Sequence, residues 1–280
     1  GTSLALNGCA NDARTFKSVL VNICGWSEGS VRLVTDPPAA PGEPIPTRAQ
    51  IIKEIASLTE GAQAGDSLVF FYAGHGGQSK DVTGEEADGL DECLVPADTR
   101  TQGDYIKDDE LYEMLTARVP PGASLLAVID ACHSGTMFDL AHNLSCTLPA
   151  SEGEPPAYEV TTGSLFDKIK GLLGGQPEQP AIMLVSAAYD RQTAMETKNA
   201  SGHTSGVFTT CLEEVLRSRY GGGSGGLDFR ALLHAVNLGI AARAMPQRCQ
   251  VSASHERLLD AQVRLGQDAA HYLRALIAGE

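Results

Sequence analysis

Three stretches of this chain are apolar at nearly every position: Ser67-Leu-Val-Phe-Phe-Tyr-Ala73, Ser124-Leu-Leu-Ala-Val-Ile129 and Ala181-Ile-Met-Leu-Val-Ser186. Short unbroken runs of this kind mark strands covered on both faces. Between and around them the apolar residues recur at helical spacing. Ala13, Phe16, Val19, Leu20 and Ile23 share one face of a helix over 9–24, and Ile51, Ile52, Ile55 and Leu58 share one of a helix capped by Thr47. Further helices are predicted over Lys107–Arg118, which Pro120-Pro121 stops, over Val207–Arg217, and over Asp228–Ala244. Val31–Val34 reads as a short strand. Strands alternating with helices predict an α/β fold, a mostly parallel β-sheet sandwiched between α-helices.

The remaining stretches lack a clear period. Five prolines and a glycine make 36–46 a loop. Residues 78–104 read as a long polar loop with one strand near Glu92–Val95, and 140–180 as a surface linker rich in Pro, Gly, Ser and Glu. The tail from Leu258 to Ala278 reads as helical through Leu265, Tyr272, Leu273, Leu276 and Ile277. This divides the chain into a region over 1–140, a linker over 141–180 and a second region over 181–280, together forming one domain.

Charge narrows the function. The 280 residues carry a net charge of −14, with a pI near 4.9. That excludes a nucleic-acid binder, which needs a basic face, and points to cationic partners such as metal ions or basic peptide segments. No apolar stretch reaches the ~18 residues of a membrane span. The first residues, Gly-Thr-Ser-Leu, carry no signal segment. Seven cysteines without scaffold spacing predict free thiols in a reducing, cytoplasmic compartment.

Two residues carry candidate chemistry. His75 lies in Tyr72-Ala-Gly-His-Gly-Gly-Gln78 and Cys132 in Val128-Ile-Asp-Ala-Cys-His-Ser-Gly135, each just past a predicted buried strand. The carboxyl edge of an open α/β sheet is where ligands bind, so the two are expected to share one cleft. There an imidazole takes the proton of a thiol that attacks a carbonyl. The N–H groups of Gly76 and Cys132 are candidate oxyanion donors. The bland alternative is a polar loop histidine and a cysteine that merely fills core.

Tyr-Ala-Gly-His-Gly together with Asp-Ala-Cys-His-Ser-Gly resembles the metacaspases, caspase-like cysteine proteases of plants, fungi, protists and bacteria. The resemblance covers about residues 4–140 and resumes, more loosely, at Ser186-Ala-Ala-Tyr-Asp-Arg-Gln-Thr-Ala194. It implies that His75 and Cys132 form a catalytic dyad. It also implies that Asp12 and Asp130, with Cys9, line the pocket for the residue before the cut bond. Two carboxylates there select Arg or Lys. Taken alone, Asp12 reads better as an acid at the start of its own helix, satisfying free N–H groups there.

Residues 81–110 hold eleven acids against two bases, Arg100 and Lys107. Such a run is often only a solvated loop. Here the resemblance assigns Asp91, Asp108, Asp109 and Asp139 to a Ca²⁺ site, and an oxygen-rich carboxylate set suits that ion. It further implies self-cleavage in the linker, where Lys168 and Lys170 are the two bases over 140–180. The expected partners are protein or peptide substrates with Arg or Lys, and the expected state is a monomer. A catalytically silent calcium-regulated scaffold is the alternative. The family also places an apolar strand immediately before the segment matching Leu4–Cys9. Either another segment supplies it, or the sequence begins downstream of its natural start.

Overall fold

The computed structural model describes residues 6–81, 89–132, 134–135, 137–138, 140–150, 154–162, 180–189, 194–199, 202–221, 226–263, 265 and 273–279. The chain opens with α1 (Cys9–Asn22), β1 (Val31–Thr35), α2 (Arg48–Thr59), β2 (Ser67–Ala73), β3 (Gly76–Lys80), β4 (Leu90–Leu94) and β5 (Ile106–Lys107). Next come α3 (Asp108–Met114), β6 (Ser124–Asp130), β7 (His142–Thr147), β8 (Ala157–Thr162), β9 (Ala181–Ser186), β10 (Glu196–Lys198) and β11 (Thr204–Gly206). The rest is α4 (Val207–Tyr220), α5 (Phe229–Ala242), β12 (Gln250–Ala253) and β13 (Leu273–Gly279).

Eight strands form the central sheet in the order β1-β13-β2-β6-β9-β12-β7-β8. The five from β1 to β9 run parallel, and β12, β7 and β8 continue the sheet by antiparallel pairing. Alternation along β2 shows how both faces are covered. Val69, Phe71 and Ala73 join the core under α1, α4 and α5, while Leu68, Phe70 and Tyr72 join the one under α2 and α3. Phe16 of α1 stacks on Phe71 with ring centroids 4.5 Å apart. The apolar runs are unbroken because neither face meets water.

Four readings need correction. The tail forms no long helix where it is described: Leu258–Asp260 closes a 3-10 segment that starts at Glu256, and Leu273–Gly279 forms β13, inserted between β1 and β2 and parallel to both. It supplies the apolar strand expected before Leu4. Its Leu276 and Ile277 mimic a helical pair because a doubly covered strand has no polar face to break the period. The acidic loop 78–104 contains two strands, β3 and β4, which form a three-stranded sheet with β5. The stretch 140–180 contains the β7–β8 hairpin, whose outer strand is mostly exposed and polar and so carries no apolar signal. The helix expected over Lys107–Arg118 is shorter: α3 ends at Met114, and one 3-10 turn covers Thr116–Arg118.

Candidate active site

Strand register places His75 and Cys132 at neighbouring strand ends. Ala73 of β2 pairs with Asp130 of β6, so His75 and Cys132 each lie two residues beyond a matched pair of strand ends. The Gly74 N–H extends the ladder to the Asp130 carbonyl at 3.2 Å. Beyond it the His75 carbonyl accepts from the Tyr72 hydroxyl at 3.1 Å and from the Val95 N–H at 3.1 Å, which fixes the loop. Gly76 then passes hard against the Cys132 backbone. A Cβ added there would sit 1.8 Å from the Cys132 carbonyl oxygen, so the approach needs a glycine.

The Cys132 sulfur is half-buried and accepts the Ala194 N–H at 3.3 Å. Burial pushes its thiol above the ordinary value and Asp130 adds to the rise, while the Ala194 bond opposes it. A thiol raised in this way favours its protonated form, and it would have to lose that proton to act as a nucleophile. His133, next to Cys132, lies outside the described residues.

Asp12 and Asp130 meet at the start of α4. Asp12 accepts from the Gly206 N–H at 2.9 and 3.0 Å and from the Ser205 hydroxyl. Asp130 accepts from the Thr209 N–H at 3.2 Å and from its hydroxyl at 2.6 Å. No side chain of α4 itself caps that helix, so two carboxylates from distant elements satisfy its free N–H groups and face its positive end. Asp12 thus does serve a helix N-terminus, but that of α4 and not its own. A Cβ on Gly206 would lie 2.2 Å from the Asp130 carboxylate and 3.3 Å from that of Asp12. Both acids converge on this one bare position.

Both carboxyls are held above the ordinary carboxylate range. Burial is the first cause for each, and the neighbouring Asp130 charge raises Asp12 further. No ion pair among the described residues relieves them. Glu196 of β10 adds a third negative charge that raises both. Its Oε1 accepts the Asn7 and Gly8 N–H groups at 3.1 and 2.7 Å, which ties β10 to the start of α1. Cys9, one turn before Asp12, is buried at the head of α1. Sequence reasoning missed Glu196, Ser205, Gly206 and Thr209. They become visible only once α4 is known to end against β6.

The second acidic set is also brought together. Carboxylate oxygens of Asp91, Asp108 and Asp109 lie within 4.8 Å of one another, with Asp91 and Asp108 buried. Asp108 accepts the Glu92 and Asp109 N–H groups at 3.0 and 2.8 Å. Hard oxygens at this spacing fit a divalent cation such as Ca²⁺. Asp139, Lys168 and Lys170 lie outside the described residues.

The family model described as "Metacaspase, peptidase C14 domain" matches residues 1–141. Among curated proteins, the chain is 38% identical over 218 residues to metacaspase-3 of Arabidopsis thaliana, covering 78% of this chain and 57% of that one. It is 30% identical to metacaspase-1 of Candida glabrata, covering 91% and 70%. It is 42% identical to metacaspase-1 of Cryptococcus neoformans, covering 51% and 31%. The chain thus spans only about a third to two thirds of these relatives. A crystal structure of a Geobacter sulfurreducens protein shares the fold, with a TM-score of 0.57 and 23% identity over 91% of this chain and 88% of the other. No described helix is long and apolar enough to cross a membrane.

Proposed function

Because this chain belongs to the metacaspase family, we propose that it is a calcium-dependent cysteine endopeptidase that cuts after Arg or Lys. The carrying observation is the buried Asp12–Asp130 pair beside Cys132, which no cation of the described chain neutralises. A buried like-charged pair stays partly protonated until a cation arrives. A guanidinium or ammonium fits that need, and an acidic side chain does not.

The proposed reaction uses the groups already placed. The basic side chain enters beside Gly206 and drives the shared proton off the aspartate pair. Cys132 attacks the carbonyl carbon on the carboxyl side of that residue, and His75 takes the thiol proton during attack. The N–H groups of Gly76 and Cys132 are the assigned oxyanion donors. Collapse of the tetrahedral species passes the proton from His75 to the leaving amine and leaves an acyl-enzyme. Water, deprotonated by His75, then releases the acid and restores the thiol.

Asp91, Asp108 and Asp109, with Asp139, are the proposed Ca²⁺ ligands. Asp91, Asp108 and Asp109 would hold the ion there, and its positive charge would neutralise their carboxylates. Activity on arginyl, lysyl and aspartyl reporter peptides, with calcium and with chelator, tests this function. Cleavage of the aspartyl peptide alone, or equal rates in chelator, contradicts it.

A further inference from the structure

The second acidic set differs from the pocket in carrying its own cation. Lys107 is the last residue of β5 and pairs with Cys93 of β4. Asp91 lies two residues from Cys93 and so on the same face, which makes it the diagonal cross-strand neighbour of Lys107. The Lys107 ammonium meets an Asp91 carboxylate oxygen, and it donates to the Lys80 carbonyl at 3.4 Å. The Asp91 side chain is 4% exposed and that of Lys107 is 32% exposed, so the cation enters from the rim onto a buried anion. Lys107 also precedes α3, whose first turn holds Asp108, Asp109 and Glu110. One lysine therefore occupies the Asp91 carboxylate, one of the three that a divalent ion would meet.

We propose that Lys107 is a built-in counter-ion of this cluster: it holds the carboxylates together when no metal is bound, and it must yield Asp91 when one enters. This rests on the calcium reading above. Lys107 then sets the calcium level at which the site fills, because every ion bound has to displace an ammonium already in place. An ordinary supporting ion pair behaves differently. Its loss weakens both the empty and the loaded site. Loss of a competing counter-ion weakens the empty site and strengthens the loaded one.

Lys107→Met separates the two through binding and unfolding, without any activity readout. Calorimetric titration of the whole chain with CaCl₂ should show affinity about three- to tenfold tighter than wild type, the range of a half-exposed ion pair. In chelator the variant should melt a few degrees lower, and its calcium-induced rise in Tm should be larger. Lys107→Arg keeps the charge and adds a fork that grips a carboxylate more firmly, so it should fold and bind calcium about twofold more weakly than wild type. Equal or weaker calcium binding by Lys107→Met overturns the proposal. If that variant does not fold, calcium binding by Lys107→Arg as tight as wild type overturns it instead. Calcium binding by none of the three proteins overturns the calcium reading itself, and this inference with it.

Discussion

Two clusters of buried acids among the described residues are neutralised in different ways. Asp91 of the loop cluster is partnered by Lys107 from the neighbouring strand. Asp12 and Asp130 of the cleft have backbone and hydroxyl donors and the end of α4, but no ion-pair partner among the described residues. Burial raises both carboxyls and the Asp130 charge raises Asp12 further, so without a cation the pair favours holding a proton. A cluster that brings its own cation can stand empty in a stable fold. A pair that borrows protons is poised to exchange them for a cation from elsewhere. On this account the cleft waits for a substrate and the loop for a metal.

Removing one cleft carboxylate should break the contrast most severely. Asp130→Asn or Asp12→Asn leaves a basic side chain without half of its counter-charge. The loss of a buried charged partner is worth about 2–5 kcal/mol. We expect kcat/KM on an arginyl reporter to fall by about 100-fold or more, with the circular dichroism spectrum unchanged. Asp108→Asn, in the other cluster, should weaken calcium binding by about tenfold or more while leaving inhibition by agmatine, a small guanidinium, within about twofold of wild type. Equal damage to agmatine binding from both substitutions would erase the distinction between the clusters.

A smaller effect concerns pH. Asp130 is pushed up to about 6 and Asp12 up to about 8. Over this interval the raised carboxyls pass from protonated to ionised, Asp130 before Asp12, and a bound guanidinium favours the ionised form. Binding therefore releases protons, and agmatine should inhibit more tightly as pH rises from about 6 to 8, by at most about tenfold per unit for one proton. The sign for stability is opposite. Ionising acids raised above their unfolded value lowers stability, so the ligand-free protein should lose stability over the same interval. Asp12→Asn should flatten both slopes. The smallest change is local: intact-mass analysis after calcium addition should find cleavage after Lys168 or Lys170, and none in Cys132→Ala.

Much of this was legible in the residues and some was not, for definite reasons. The runs 67–73, 124–129 and 181–186 announce their strands because burial on both faces demands apolar side chains throughout. Register then follows, and with it the placing of His75 and Cys132 past neighbouring strand ends. The edge hairpin β7–β8 went unread because a strand open to water needs no such run. β13 went unread because seven apolar-rich residues near a chain end look the same as helix or strand, and its place between β1 and β2 is a tertiary fact. The aspartates of both clusters were named from motif resemblance. Their environments were not, since the donors for Asp12 and Asp130 come from Ser205, Gly206 and Thr209, about 80 to 190 positions away. Lys107 was counted only as one of two bases in an acidic run, and its cross-strand place opposite Cys93 gives it a role.

The central claim is that Cys132, served by His75, cuts beside a basic residue held by Asp12 and Asp130. The most direct test is the rate of wild-type protein and Cys132→Ala on matched arginyl and aspartyl peptides in calcium. The account predicts cleavage of the arginyl peptide by wild type, little of the aspartyl one, and none of either by Cys132→Ala. Arginyl cleavage that survives in Cys132→Ala, or wild-type preference for the aspartyl peptide, contradicts it.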